Sequence, residues 1–200
     1  MCPTCAQHHA IDPTGENYAY LLGVYLGDGY LIAHPRTTAL KVALDTAYPG
    51  IIEEVAHAIG AIRGRSPHVV QVKSEAMVLV TSYWRAWPCL FPQHGPGRKH
   101  SRPIVLTSWQ REHVDRAPGA LLRGLIHTAG WRGENIVRSK GRTYRYPRYQ
   151  FSNRSDDIRR IFTDACDRLD IAWRPWGPWH ISVAQRDAVA TLDRYAGLKR

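Results

Sequence analysis

The chain contains no apolar run approaching the ~20 residues that a membrane-spanning helix requires, so a bilayer span is not expected. Cysteine is scarce. Of the four, Cys89 and Cys166 fall in apolar surroundings and read as reduced core thiols. The other two, Cys2 and Cys5, precede His8 and His9 and form half of a zinc-knuckle pattern. A structural zinc normally takes four ligands, which these cysteines and one or both histidines would supply. The competing and preferred reading is a frayed remnant of a longer chain with no functional role. The start, Met-Cys-Pro-Thr-Cys, is not a signal peptide, and a cytoplasmic location is expected. Acid is short relative to base: 17 Asp and Glu against 27 Lys and Arg, for a net charge of +10 and a pI near 9.8. That balance suits a polyanion such as nucleic acid, although a membrane surface or an acidic protein would also match it. Arginine greatly outnumbers lysine, 22 to five, and arginine suits bidentate contacts to phosphate and guanine. GC-rich coding is the bland explanation. A length of 200 residues fits one domain or two small halves with ample core.

Against this background one stretch is unusual: Tyr18-Ala-Tyr-Leu-Leu-Gly-Val-Tyr-Leu-Gly-Asp-Gly-Tyr30. It predicts an apolar helix ending in an acid and a glycine. Gly23 and Gly27 lie four apart, on one helix face. Each costs a helix interior roughly 1 kcal/mol relative to alanine, which close approach by another helix would justify. Asp28 stands at the helix C-terminus, where the macrodipole disfavours an anion, and is a candidate metal ligand. An ordinary helix-ending turn with Gly29 as the left-handed residue explains the pair equally well.

A second copy shifts that balance. Leu122-Arg-Gly-Leu-Ile-His-Thr-Ala-Gly130 matches Leu21–Gly29 position for position: Gly124 answers Gly23, Thr128 answers Gly27 and Gly130 answers Gly29. Only the acid is lost, with Ala129 standing where Asp28 stands.

Around the two motifs the pattern of elements also repeats. After an arm over residues 1–15, the first motif helix runs from Glu16 to Gly29. A hairpin, 30–34 with 38–44, follows. The face Ile51, Ile52, Val55, Ala58, Ile59 and Ile62 predicts a helix over 48–62. A second hairpin, 68–73 with 76–81, comes next. Helices are expected over 82–90 and 104–116. Between them lies a Pro- and Gly-rich basic loop that reads either as a solvated linker or as a loop close to DNA. The second motif leads into strands over 131–137 and 144–152, a helix over 156–169, a hairpin of 172–174 with 180–183, and a helix over 185–195. The expected fold is α+β: two pseudo-symmetric αββαββα repeats with antiparallel sheets, divided as 1–15 arm, 16–116 first repeat and 117–200 second repeat. Aligned residues give the second copy six extra residues, which fit its first hairpin.

The paired motifs resemble those of the LAGLIDADG homing endonucleases in their single-chain, two-repeat form. The resemblance implies motif helices packed at a pseudo-twofold axis, saddle-shaped sheets lying in the DNA major groove, and a monomer that binds a long duplex site. It implies hydrolysis of phosphodiesters with Mg2+, for which Mn2+ or Ca2+ would substitute as the bound ion. Asp28 would then be a catalytic metal ligand, with the carbonyls of Gly27 and Thr128 as further ligands. Ala129 departs from the family pattern and puts double-strand cleavage in doubt. The remaining possibilities are nicking through the Asp28 half-site, a DNA-binding regulator without cleavage, or an engineered disabling change. His127 occupies the first motif-aspartate position of the second copy; adjacent helical positions differ by ~100°, which favours packing or a DNA contact.

The resemblance also implies a basic residue beside the scissile phosphates, for which Lys99 is the candidate by position, with Arg98 close behind. A simple phosphate contact or a solvated charge is the competing reading. It implies water-orienting polar residues at the sheet ends, where Thr46 and Asn153 stand; capping of the following helices explains them equally well. For DNA contact the first half offers His34, Arg36, Lys41, Gln71 and Lys73. The second, more basic half offers Arg132, Arg138, Lys140, Arg142, Arg145, Arg148 and Gln150, alternating with Tyr144, Tyr146 and Tyr149. An RNA-binding or RNA-processing module using the same basic sheets is the alternative from a different class.

Overall fold

The computed structural model describes residues 15–73, 75–197 and 199. The first repeat contains α1 (Glu16–Gly27), β1 (Gly29–His34), β2 (Thr37–Asp45), α2 (Pro49–Arg63), β3 (His68–Gln71), β4 (Met77–Tyr83) and α3 (Trp87–Leu90). A 3-10 turn at Lys99–Ser101 and α4 (Ser108–Arg116) lead to α5 (Pro118–Ala129), β5 (Gly130–Ser139), β6 (Arg142–Ser152), α6 (Asp156–Asp167), β7 (Arg174–Trp176), β8 (His180–Val183) and α7 (Arg186–Ala196). The strands form two antiparallel four-stranded sheets of matching order, β1-β2-β4-β3 and β5-β6-β8-β7. The fold is the α+β double repeat that the sequence predicts. The zinc expectation at Cys2, Cys5, His8 and His9 lies outside the described residues.

The two motif helices are the centre of the molecule. From Tyr18 to Leu26 every residue of α1 is buried, because α5 packs along it, α2 and α4 also contact it, and the core it belongs to includes Leu40, Val42 and Val80 of the first sheet. Gly23 and Gly124 mark the crossing. A Cβ on Gly23 would meet the Leu121 carbonyl and lie 2.9 Å from the Leu125 nitrogen. One on Gly124 would meet the Tyr20 carbonyl and lie 2.8 Å from the Val24 nitrogen. The lower contact is asymmetric: Gly27 leaves room for the Thr128 side chain, whose hydroxyl donates back to Gly124 O at 2.9 Å.

Strand alternation sorts the sheets. Leu40, Val42 and Leu44 of β2, and Tyr149 and Phe151 of β6, are buried against helices; Phe151 stacks on Phe162 of α6 at 4.4 Å. The opposite faces remain free. The β5–β6 turn is Lys140-Gly141, both with positive φ (48° and 73°). Such a two-residue turn matches the strand twist, so pairing continues to Ser139 and Arg142, beyond the predicted strand ends.

The register also refines the count of extra residues. Gly29 pairs with Val42, but Gly130 pairs with Phe151. The second hairpin is therefore eight residues longer at this level, and β2 recovers two by running further past its paired residue than β6 does.

Two predicted helices are corrected. Ser82 and Tyr83 belong to β4, where Ser82 pairs with Leu40 and Tyr83 with Ala39, leaving a helix only at Trp87–Leu90. Residues 104–107 are not helical. Pro103 lacks an N–H to donate, and Thr107 and Gln110 form a reciprocal capping box that starts α4 at Ser108.

Candidate active site

Asp28 is the C-cap of α1, with its N–H donated to Val24 O at 3.1 Å. It opens onto a groove of about 950 Å3 lined from both repeats: Tyr30, Leu31 and Thr38 on one side, Ala129, Ser152, Asn153 and Arg154 on the other. Asp28 is the only acid in that lining among the described residues, whereas Arg98, Lys99, Arg102 and Arg154 are all basic. Burial raises the Asp28 carboxyl above its ordinary value, and Lys99 and Lys199 pull it back.

Lys99 is held by an ordered loop rather than a flexible linker. Phe91 is buried and stacks on Tyr25 at 4.3 Å. Gln93 donates to Val105 O at 2.7 Å and to Gln110 Oε1 at 2.5 Å, and Gln110 in turn donates to the Tyr18 hydroxyl at 2.9 Å. Arg102 closes the loop on itself, donating to Gln93 O, Pro96 O and Gly97 O. Lys99 thereby reaches the end of α1 and donates to the carbonyls of Tyr25, Leu26 and Gly27, the last at 2.9 Å. Three carbonyls match the three N–H donors of an ammonium, at the helix end where a cation is favoured.

Burial nevertheless pushes Lys99 down to about 7, against the pull of Asp28 and with Arg102 pushing the same way. The unfolded chain, with an ordinary lysine near 10.5, therefore binds more protons between pH 7 and 10.5. Stability attributable to Lys99 should rise with pH across that window. Urea unfolding at several pH values should show wild type gaining on Lys99→Met from pH 7 upward; parallel curves would refute the assignment.

The repeat places a second lysine beside Asp28 that sequence reading missed. Val80 and Ile181 hold the same register position, opposite Val42 and Phe151. Lys99 follows Val80 by 19 residues, and Lys199 follows Ile181 by 18. Lys199 sits 5.6 Å from the Tyr48 ring, and Asp28 and Asp45 both act on its charge. The periodicity of the repeat, carried to the end of the chain, was the available signal.

Other predicted residues divide by position. Lys41, Arg142, Arg148 and Gln150 lie on the free sheet faces, while Arg36, Lys73 and Lys140 are exposed in turns. Arg145 does not share a face with Arg148, because alternation turns it the other way, and it pairs with Glu134 at 2.8 Å. Arg138 shares that opposite face. Arg132 is there too, held bidentately by Asp193 at 2.6 and 2.9 Å, with the Tyr149 hydroxyl also donating to Asp193. Gln71 likewise falls on the helix side.

Asn153 lines the groove while its Oδ1 accepts the Ser155 N–H at 2.9 Å, a turn that leads into α6; Ser155, not Asn153, is the N-cap. Thr46 is absent from the groove lining and donates its N–H to Ala76 O. His127 is buried away from the groove. Its Nε2–H donates to Ala196 O, which can only accept, so Nδ1 accepts from the Tyr20 hydroxyl, both at 3.1 Å. Burial lowers its pKa. Sequence reading also missed Ser152 and His180, joined at 2.6 Å on the second sheet's free face.

The residues fit a divalent cation of the magnesium type in part. Asp28 offers a hard carboxylate, but the Gly27 carbonyl is engaged by Lys99. No group of three or more His, Cys, Asp or Glu side chains able to hold a metal occurs among the described residues. A magnesium ion commonly uses one or two carboxylates with water and phosphate oxygens, which one acid and a bound phosphate would satisfy. No described helix is long and apolar enough to cross a membrane.

No family profile and no curated protein matches the sequence. Solved structures do match the fold. The LAGLIDADG homing endonuclease I-LtrWI bound to target DNA superposes with a TM-score of 0.61 at 9% identity, over 94% of this chain and 86% of that one. I-DmoI in complex with DNA and Mn gives 0.59 at 11% identity, over 94% and 99%. A lysine-to-alanine variant of I-SmaMI gives 0.60 at 8% identity, over 94% and 86%. The chain therefore has the fold of the single-chain, two-repeat LAGLIDADG homing endonucleases.

Proposed function

We propose that this protein binds a specific duplex DNA site as a monomer and hydrolyses one strand of it, with Mg2+ held by Asp28. The observation that carries the reading is a single carboxylate in a basic groove between two sheets, with Ala129 at the matching position of the second repeat. Tyr30 and Ser152, on the free faces of the two sheets, are among the residues that line that groove. The similar structures include chains bound to target DNA and to DNA with Mn.

The chain's own groups have clear parts in such a reaction. Arg98, Arg102 and Arg154 would draw the backbone into the groove. Lys99 and Lys199, both beside Asp28, would offset the charge that develops on the phosphate. A bound magnesium ion would supply Lewis acidity and a more acidic water at that phosphate. Asp28 would hold the ion; burial raises its carboxyl above the ordinary value, and the two lysines pull it back toward the charged form that a metal ligand needs. Ala129 contributes no such group, and the second strand is left intact.

The test is selection from random duplex DNA in Ca2+, followed by Mg2+ on duplexes labelled separately in each strand. One cut, always in the same strand of the selected site, is expected. Cutting of both strands would overturn the nicking reading. Binding with no cutting would reduce the protein to a regulator. A steep salt slope with no selected sequence would leave only charge attraction, and preference for structured single-stranded RNA would move the activity to RNA.

A further inference from the structure

We infer that the two repeats divide the work: the second sheet reads the DNA sequence, with Arg148 as its guanine-reading anchor, while hydrolysis stays with Asp28 in the first. This rests on the duplex-binding reading above.

The sheets can be compared position by position, because their ladders share one register. Across the first sheet one row reads Tyr30, Lys41, Thr81, His68; across the second the same row reads Trp131, Gln150, Ser182, Arg174. In the next row Leu79 and Val70 are replaced by His180 and Trp176. Two positions along the strand, buried Ala39 is replaced by Arg148. The free face of the first sheet thus mixes Tyr30, Lys41, Thr81 and His68 with aliphatic Ile32, Ala39, Leu79 and Val70, and its strands carry no arginine there. Its counterpart carries arginines, an amide and indoles, on a hairpin that projects further. Base edges in the major groove are told apart by donors and acceptors, and the bidentate fork that reads guanine is offered by the arginines of the second face.

Arg148 is the best placed of these groups. Its guanidinium carbon lies 5.8 Å from the centre of the Trp176 ring, within cation–π range. Its Nε is buried and has no hydrogen-bond partner among the described residues. A cavity of about 380 Å3 opens beside it, lined also by Arg174, Trp176 and Ser182. A buried N–H donor without an acceptor is costly, and turning the fork onto a ligand acceptor at this face would remove that cost. Arg132 and Arg145, although on the same hairpin, already hold carboxylates and face the other way.

The experiment uses the full chain and its selected duplex. Binding is measured with each half of the site randomised in turn, and with single base-pair changes for wild type, Arg148→Ala, Arg148→Lys and Lys41→Ala. Randomising one half should cost at least tenfold more affinity than randomising the other. Arg148→Ala should abolish a preference for G·C at one position in the dominant half, where wild type discriminates by roughly 5- to 150-fold, the range of one bidentate contact. Arg148→Lys should not restore it, because lysine lacks the planar fork, and Lys41→Ala should leave that half unchanged.

Equal dependence on the two halves would overturn this inference while leaving the nuclease reading intact. So would uniform weakening by Arg148→Ala that Arg148→Lys restores, the behaviour of a phosphate contact. A wild type that selects no site would overturn both. Equal urea midpoints for wild type and Arg148→Lys would exclude misfolding as the cause.

Discussion

Asp28→Asn is expected to bind its duplex as tightly as wild type and to cut it roughly a thousandfold more slowly, or not measurably. The estimate follows from the several kcal/mol of charge stabilisation that a bound metal supplies, at 1.36 kcal/mol per tenfold in rate. The stability side distinguishes a functional acid from a structural one. Asp28 is buried enough to raise its pKa, sits at the unfavourable end of the α1 dipole and, among the described residues, receives no side-chain hydrogen bond that would repay those costs. Its return is the attraction of Lys99 and Lys199. Asparagine keeps the volume and removes both the cost and the return, so the melting temperature should change little. Nicking that survives Asp28→Asn, measured on strand-labelled duplex, would remove Asp28 from the reaction. The companion variant, Ala129→Asp, restores an acid to the opposite helix end inside the same groove and should open the second strand to cutting. If it leaves a nickase, the second half has lost more than its acid.

The centre of this fold was open to inspection in the sequence, and the reasons are physical. Two glycines four apart on an apolar helix are costly unless another backbone fills the space, and Gly23 and Gly124 do meet. Alternation marked the hairpins because one sheet face is buried. What was hidden depends on partners distant in sequence. Ile104-Val105-Leu106 looks like the start of a helix until the Thr107–Gln110 box is seen to begin it later. The basic loop looks like a linker because its order comes from Gln93 bonding to Gln110 and Arg102 bonding back to the loop. Arg132, Arg145 and Arg148 look equivalent in composition, yet only the ladder register tells which lies on the free face. Lys199 carries no local pattern at all; its place near Asp28 follows from the repeat and from the path of the chain after α7.

Gly124→Ala should be among the most destabilising single-methyl changes available in this protein, with Gly23→Ala close to it. In both cases the added Cβ meets backbone of the partner helix, the Tyr20 carbonyl and Val24 nitrogen in one and the Leu121 carbonyl and Leu125 nitrogen in the other. Backbone cannot rotate aside as a side chain can, so the helices must separate along a seam whose flanking residues are almost all fully buried. Alanine's better helix propensity returns at most ~1 kcal/mol. The cost should reach or exceed the upper end for overpacking, about 3 kcal/mol, or roughly 6–12 °C in melting temperature for a domain of this size. Gly27→Ala provides the internal control. Its Cβ would meet the Thr128 side chain, with the Thr128 Cβ at 2.7 Å. A second change, Thr128→Gly, should therefore recover most of the loss, moving the small residue from one helix to the other. The same rescue is impossible at Gly23 and Gly124, where no side chain remains to be removed. A double-mutant cycle by thermal melting should thus show strong coupling between residues 27 and 128. Additive losses at that pair, or a Gly124→Ala protein that melts with wild type, would mean that the helices are not packed backbone to backbone as this structure has them.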